Sequence, residues 1–517
     1  MAAKSRSRTI LLSGKELTAE DFYAVTLAGR KVRLSSAAKV RMQKANKVIR
    51  QVATHPDPVY GVTTGFGKLA DQRVSHSDIA QLQLNLVRSH AAGVGDPLAR
   101  DEVRGIVLLR ANVLARGYSG VRPLVVEHLL ALLNRDVYPV IPCRGSVGAS
   151  GDLSPLAHLA LLLIGEGEAW TGGRRRPGRQ ALAAARLTPL VLQAKEGLSL
   201  VNGTQAMLAL GLLALRRCDR LLDATDVAGT LTVEALKGTP VAFERRIQAL
   251  RPYRGQRTVA ANLRALMAGS EIRVSHLGCP RVQDAYSLRC MPQVHGAVRD
   301  ALSYVRDTLT IEINSVTDNP IVFPDEGEVV SGGNFHGQPL GLVLDHVAIA
   351  ITELANISER RIERLINPEY GDLPPFLSPD PGLNSGFMLA QVTAAALASE
   401  NKVLSHPASV DSIPTSGNQE DHVSMGMGSA LKLKQILTNA EHILAIELLC
   451  AAQGVEFHRP LRPGIGSRHT LRLIRRDIPR LERDRSPAPD IEQARLLVAS
   501  GALTTLLAHT RERFTDH

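Results

Sequence analysis

With 517 residues, 44% of them hydrophobic and 21% charged, the chain has the ordinary balance of a globular protein and room for several cores or one very elongated one. Aromatic residues reach only 3%, so the interior is built from Leu, Ala, Val and Ile, a composition that favours packed helices over sheets. The net charge of +11 comes mostly from arginines scattered among acids, with no aromatic residues interleaved as a stacking platform, which excludes a nucleic-acid partner.

The first nine residues are basic and polar, and Ile10-Leu11-Leu12 is too short for the apolar core of a secretion signal. No stretch reaches the roughly 18 uninterrupted apolar residues of a membrane helix, so no membrane partner is expected. Five cysteines, Cys143, Cys218, Cys279, Cys290 and Cys450, are odd in number and lack C-x-x-C spacing. They exclude a disulfide framework and a zinc site and point to the cytoplasm.

Up to about residue 200, glycine and proline break the chain into short elements, as at 61–67, 93–97 and 145–151. Tyr60-Gly61-Val62-Thr63-Thr64-Gly65-Phe66-Gly67 is a glycine-rich turn without the Gly-Lys-Ser/Thr ending of a phosphate loop. A helix from about Ser75 closes near His90, where an imidazole can cap the negative end of the helix dipole. Ser154 followed by Pro155 reads as the cap and first residue of a helix whose buried face is Leu156, Leu159, Ala160 and Leu163. Asn202 reads as the cap of a helix from Met207 to Leu222 that is apolar almost all round and therefore buried on every side.

Gln283 to Cys290 is a polar cluster between apolar segments. Beyond it, Val343, Val347, Ile351, Leu354 and Ile357 fall at three-four spacing, as do Leu433, Ile436, Leu437, Ala440, Leu444 and Leu448. The expected fold class is mainly α: an elongated central bundle of long helices, residues 203–517, with a smaller mixed N-terminal domain, residues 1–202. Such a bundle is expected to cover its remaining apolar surface with copies of itself.

The most informative stretch is Gly145-Ser146-Val147-Gly148-Ala149-Ser150-Gly151-Asp152. In a tight turn the Gly151 nitrogen can reach the Ala149 carbonyl carbon and close a five-membered ring. Loss of water from that ring, and of the Ser150 hydroxyl as a second water, leaves an exocyclic methylidene conjugated to an imidazolone. Gly151 and Ala149 are small enough for the approach, and Ser150 supplies a β-hydroxyl that can leave. The helix that follows offers partial positive charge to the ring. From about Tyr60 to Glu456 the chain resembles the ammonia-lyase and aminomutase family, which makes a methylidene-imidazolone group from its own Ala-Ser-Gly.

That resemblance implies a 4-methylidene-imidazol-5-one formed from Ala149, Ser150 and Gly151, with no metal or diffusible cofactor. It makes Tyr60, on a lid loop, the base for the substrate β-proton, with Tyr286 assisting in proton transfer. Gln283 stands beside the cofactor, Arg289 clamps the substrate carboxylate, Asn202 helps hold the cofactor carbonyl and the substrate, and Phe335 lies against the ring. Ser89-His90 and the run Asn418-Gln419-Glu420-Asp421-His422 match members that act on histidine, with His90 and Glu420 meeting the imidazole. The implied reaction is elimination of ammonia from L-histidine to give trans-urocanate, in a homotetramer whose active sites each draw on three chains.

Gly337-Gln338 departs from the Ala-Glu common in those members and matches some aminomutases. A tyrosine or phenylalanine lyase and a 2,3-aminomutase therefore remain open, as does attack of the cofactor on the amine or on the ring. A non-enzymatic basic helical binding protein is the more distant alternative. A fumarase-like lyase is disfavoured because its Gly-Ser-Ser loop is missing.

Overall fold

The computed structural model describes residues 9–279 and 281–514, and among them are twenty α-helices and nine short strands. The mainly α composition expected from the scarcity of aromatics is what the chain adopts. Two compact units form. One comprises the chain up to Leu213 with Arg306–Asp345 and Pro407–Leu431; the other comprises Ala214–Val305, His346–His406 and the chain from Lys432 onward. Both units are discontinuous in sequence, whereas the sequence pattern places a single change of character near residue 202. The difference arises because four of the boundaries fall inside long helices, Gln205–Ala235, Met291–Ile313, Gln338–Ile366 and Gly426–Glu456.

In the first unit all strands are short. A parallel pair joins Ile10–Leu12 to Val32–Leu34. Antiparallel pairs join Val94–Pro97 to Pro142–Arg144 and Ile321–Phe323 to Glu328–Val330. A three-stranded sheet takes Tyr138–Pro139, Glu168–Thr171 and Arg174–Pro177 in that order. These strands fix the ends of the loops between short helices. Val62 is buried with Ala45, Val48, Ile49, Ile79 and Val322, and this cluster anchors the loop that begins at Tyr60.

The second unit contains helices and, among the described residues, no strand. Its apolar stripes are buried as their spacing predicts: Val347, Ile351, Leu354 and Ile357 on one helix, Leu433, Ile436, Leu437, Ala440, Leu444 and Leu448 on another. The Gln338–Ile366 helix is long and apolar enough to cross a membrane by length and composition, but 67% of its apolar window is buried inside the protein, as in a core helix.

Candidate active site

The segment 145–152 is held from both sides. Met425 N–H donates to the Val147 carbonyl at 2.8 Å, and the Ser424 hydroxyl donates to the Gly148 carbonyl at 3.1 Å. On the other flank Asp152 N–H donates to the Gly203 carbonyl at 2.7 Å, and Gly203 N–H donates to the Ser150 carbonyl at 3.3 Å. Gly151 lies at φ +72°, and a Cβ there would stand 2.1 Å from the Gly203 carbonyl oxygen, so only glycine fits between the two segments.

The helix that follows spans Leu153–Leu163 and starts two residues earlier than its Ser-Pro signal suggests. Ser154 and Pro155 lie inside its first turn, and the Ser154 hydroxyl has no hydrogen-bond partner. Asp152 occupies the cap position, yet its carboxylate serves a different helix. It accepts from Ala206 N–H at 2.8 Å and Met207 N–H at 2.9 Å, the first turn of Gln205–Ala235, and from the Ser146 hydroxyl at 3.2 Å. Complete burial pushes the Asp152 carboxyl up to about 7, against these three donors. Asn202 does not cap that helix.

Ser150 opens into a cavity of about 340 Å³ in the first unit. Tyr60, Ala149, Asn202, Phe335 and Glu420 also line it, so the structure gathers these sequence-expected residues in one place. The Tyr60 hydroxyl accepts from Gly67 N–H at 3.3 Å, across the turn it begins. Glu420 accepts from the Ser150 hydroxyl at 3.2 Å through Oε1 and from the Thr415 hydroxyl at 2.6 Å through Oε2. The Asn202 side-chain oxygen is buried without a partner, while its carbonyl accepts from the wholly buried Arg110 at 2.7 Å.

His90 is not among the lining residues, but it belongs to the same unit and the Glu420 charge acts on its ring. Burial lowers the His90 pKa, and a hydrogen bond to the Leu86 carbonyl and the Glu420 charge oppose that shift. The Ser89 hydroxyl lies 3.0 Å from His90 Nδ1 and fixes the ring's orientation.

Gln283, Tyr286 and Arg289 belong to the second unit and do not line the cavity. Tyr286 is 71% exposed on the single turn Tyr286–Arg289, and the Arg289 guanidinium stacks over its ring at 4.7 Å. Arg289 Nε has no hydrogen-bond partner. A larger cavity, about 910 Å³, also lies in the second unit among Ile465, Leu473, Ala502 and Leu506, and none of the motifs read from the sequence reaches it.

Among the lining residues to which the sequence assigns no role are Asn319, His336, Gln419 and His422. The His336 and His422 rings stack with centroids 5.8 Å apart and planes within 3°. His336 Nε2 lies 3.2 Å from the His422 carbonyl and Nδ1 accepts from Gln338 N–H at 3.3 Å, so this histidine ties the segment holding Phe335 and Gly337-Gln338 to the run that ends at His422. Both histidines sit inside motifs visible in the sequence, yet nothing in an 86-residue separation reveals a stack. Among the described residues no group of three or more His, Cys, Asp or Glu side chains could hold a metal ion.

Residues 17–476 match the family model described as aromatic amino acid lyase. Histidine ammonia-lyase of Anaeromyxobacter dehalogenans (strain 2CP-C) is 55% identical over 504 residues, covering 96% of this chain and 99% of that protein. Histidine ammonia-lyase of Myxococcus xanthus (strain DK1622) is 53% identical, covering 96% and 98%. Among solved structures, histidine ammonia-lyase from Trypanosoma cruzi superposes with a TM-score of 0.90 at 44% identity over 97% of this chain and 96% of that one. Tyrosine aminomutase from Streptomyces globisporus gives 0.91 at 39% identity over 97% and 99%. The self-clamped Ala-Ser-Gly turn, the carboxylate against its serine and a match that runs nearly end to end lead to one assignment: the chain belongs to the aromatic amino acid lyase family.

Proposed function

We propose that this protein is a carbon–nitrogen lyase that removes ammonia from L-histidine without oxidation and releases trans-urocanate. The observation that carries this reading is Glu420, a carboxylate fixed in the Ser150 cavity by two hydroxyl donors. An imidazole satisfies that carboxylate, whereas a phenyl ring leaves it unpaired, and sites of this kind reject the wrong analogue by roughly ten-thousand-fold. The 53% and 55% identity to histidine ammonia-lyases over nearly the whole chain supports the same substrate.

The catalytic group we assign is a 4-methylidene-imidazol-5-one made from Ala149, Ser150 and Gly151. The residues fit it: Gly151 lies in a cradle that a Cβ would fill, and the Asn202 carboxamide lines the same cavity. When formed, the group supplies an electrophilic carbon that turns an amine into a better leaving group. The chain's own side chains do the rest. Glu420 and His90 hold the imidazole, Phe335 lies against the ring, and Asn202 orients the substrate.

Tyr60 takes the β-proton. Burial raises its pKa, the Gly67 N–H favours the phenolate, and the Glu420 charge raises the pKa again, so a nearby cation is needed to make it a base. Arg289 suits that need and can also clamp the substrate carboxylate with two parallel hydrogen bonds. We therefore place Gln283, Tyr286 and Arg289 in the site as contributions from neighbouring chains of a homotetramer. The exposure of Tyr286 and the unpartnered Arg289 Nε support that placement. Five free cysteines are in keeping with a cytoplasmic enzyme.

A 2,3-aminomutase outcome is the second reading, favoured by Gly337-Gln338 and by the tyrosine aminomutase fold match. Packing accounts for the glycine without any change of substrate. A Cβ at Gly337 would meet Met207 at 2.7 Å and the Ser424 hydroxyl at 2.8 Å. Purified protein is incubated with L-histidine and with L-tyrosine, and urocanate, coumarate and β-amino acids are measured. Urocanate from L-histidine alone is expected, with Ser150→Ala inactive. Absence of urocanate rules out the histidine reading, and a β-amino acid product establishes the mutase.

A further inference from the structure

We propose that Glu420 has an earlier task than substrate recognition: it is the acid–base group that dehydrates Ser150 while the chain builds its own electrophile. The inference rests on the reading of Ala149-Ser150-Gly151 as the cofactor precursor and assigns the residue that completes that conversion.

Glu420 Oε1 lies 3.2 Å from the very oxygen that has to leave. The second carboxylate oxygen is held by the Thr415 hydroxyl at 2.6 Å, so the group cannot swing away. The backbone under it is equally constrained. Thr415 N–H donates to the Glu420 carbonyl at 2.9 Å, and Glu420 N–H donates back at 3.3 Å. Between them Ser416, Gly417 and Asn418 lie at φ +49°, +60° and +65°, a run of left-handed residues that costs free energy and persists where the surroundings hold it. The acid nearest in sequence, Asp152, is committed to Ala206, Met207 and Ser146. The Tyr60 hydroxyl is engaged by Gly67. Glu420 is the carboxyl group that touches the Ser150 hydroxyl.

The step balances without an oxidant or a further reactant. Once the ring has closed, the Ser150 Cα–H lies next to the ring carbonyl and is acidic. The Cα–H bond breaks, a Cα=Cβ bond forms and the Cβ–Oγ bond breaks. The Glu420 carboxylate takes the Cα proton, and the departing oxygen takes that proton from the resulting carboxylic acid and leaves as water. Glu420 is unchanged, and one water has been lost. Thr415 acts only through Glu420, as a positioning residue.

The test reads the mass of the chain rather than its activity. The full-length protein is made by cell-free translation and its intact mass is followed with time for wild type, Glu420→Gln, Glu420→Asp and Thr415→Val, with Ser150→Ala as the unmodified reference. Wild type is expected to become lighter by two waters. Glu420→Gln, nearly isosteric, is expected to stay at full mass or one water below it, with the final loss slowed about a hundredfold, as for removal of a general acid–base group. Glu420→Asp, which keeps the acid, recovers part of the rate, and Thr415→Val slows the loss while leaving the carboxyl in place. Melting curves on the same samples identify any variant that fails to fold, and the Asp and Val variants then carry the comparison. Loss of both waters from Glu420→Gln at the wild-type rate overturns the role of Glu420 and leaves the cofactor intact. A wild-type chain that keeps its full mass overturns the cofactor assignment itself, and this inference with it.

Discussion

Two neighbouring residues in the segment 145–152 make opposite demands on the fold. Gly151 supplies a conformation that no other residue takes cheaply. An alanine there bears about 1–2 kcal/mol for its left-handed backbone, and its Cβ falls 2.1 Å from the Gly203 carbonyl oxygen, so the segments have to part. Gly151→Ala is therefore expected to melt earlier than wild type and to retain the mass of both waters; a fully modified, equally stable variant would contradict the cradle. Asp152 is a buried acid whose proton is held more tightly in the folded chain, at about 7, than at its ordinary value of 3.8. Its favourable contribution is complete below 3.8 and is lost as pH rises through about 7. The loss is at most about 4 kcal/mol at 1.36 kcal/mol per pKa unit. Comparing denaturant unfolding of wild type and Asp152→Asn across that window isolates the term, because other carboxylates contribute equally to both. The gap should move in favour of the variant as pH rises, and a constant gap would show that Asp152 stays ionised.

Helices were legible where one physical signal dominates. The three-four stripes at 343–357 and 433–448 are buried faces because a helix with such a stripe has no other way to remove it from water. The Ser154-Pro155 signal misplaced a helix start by only two residues, but it missed that Asp152 reaches across to another helix, since local preference carries no information about a partner 54 residues away. The same limit hid the polar cluster that ties the four long helices together in the second unit. Arg361 binds Glu447 through two hydrogen bonds, at 2.6 and 2.8 Å, and Thr232 and Ser358 donate to the same carboxylate. Arg361 also lies 3.2 Å from His295 Nε2, and as arginine only donates, His295 is neutral with its proton on Nδ1, directed at Asp226 2.8 Å away. Removing one member strands a buried charge, so Arg361→Met is expected to lose about 3–5 kcal/mol in denaturant unfolding. Adding Glu447→Leu should recover most of that, because the uncompensated carboxylate goes with it. A double variant no more stable than the single would show that packing, and not the charge, sets the cost.

At the scale of the whole molecule, the residues read from the sequence as one site fall into two groups. Tyr60, Ser150, Asn202, Phe335 and Glu420 surround one cavity, and Gln283, Tyr286 and Arg289 are absent from its lining. Sequence motifs identify chemistry without saying which copy of the chain delivers it, so this division could not have been read from spacing. In the proposed assembly each cavity takes its phenol from one subunit and its guanidinium from another, a requirement that mixed assemblies expose. Tyr60→Phe and Arg289→Met proteins, each inactive alone, are co-expressed in equal amounts and purified together. If the two groups meet only across subunits, a site is intact when the chain giving Tyr60 and the different chain giving Arg289 are each wild type at that position. In a random closed oligomer that is about a quarter of the sites. Activity near a quarter of wild type, with unchanged KM, is therefore expected from two dead parents. A mixture as inactive as its components would place Tyr60 and Arg289 on the same chain and overturn the proposed sharing of sites between subunits.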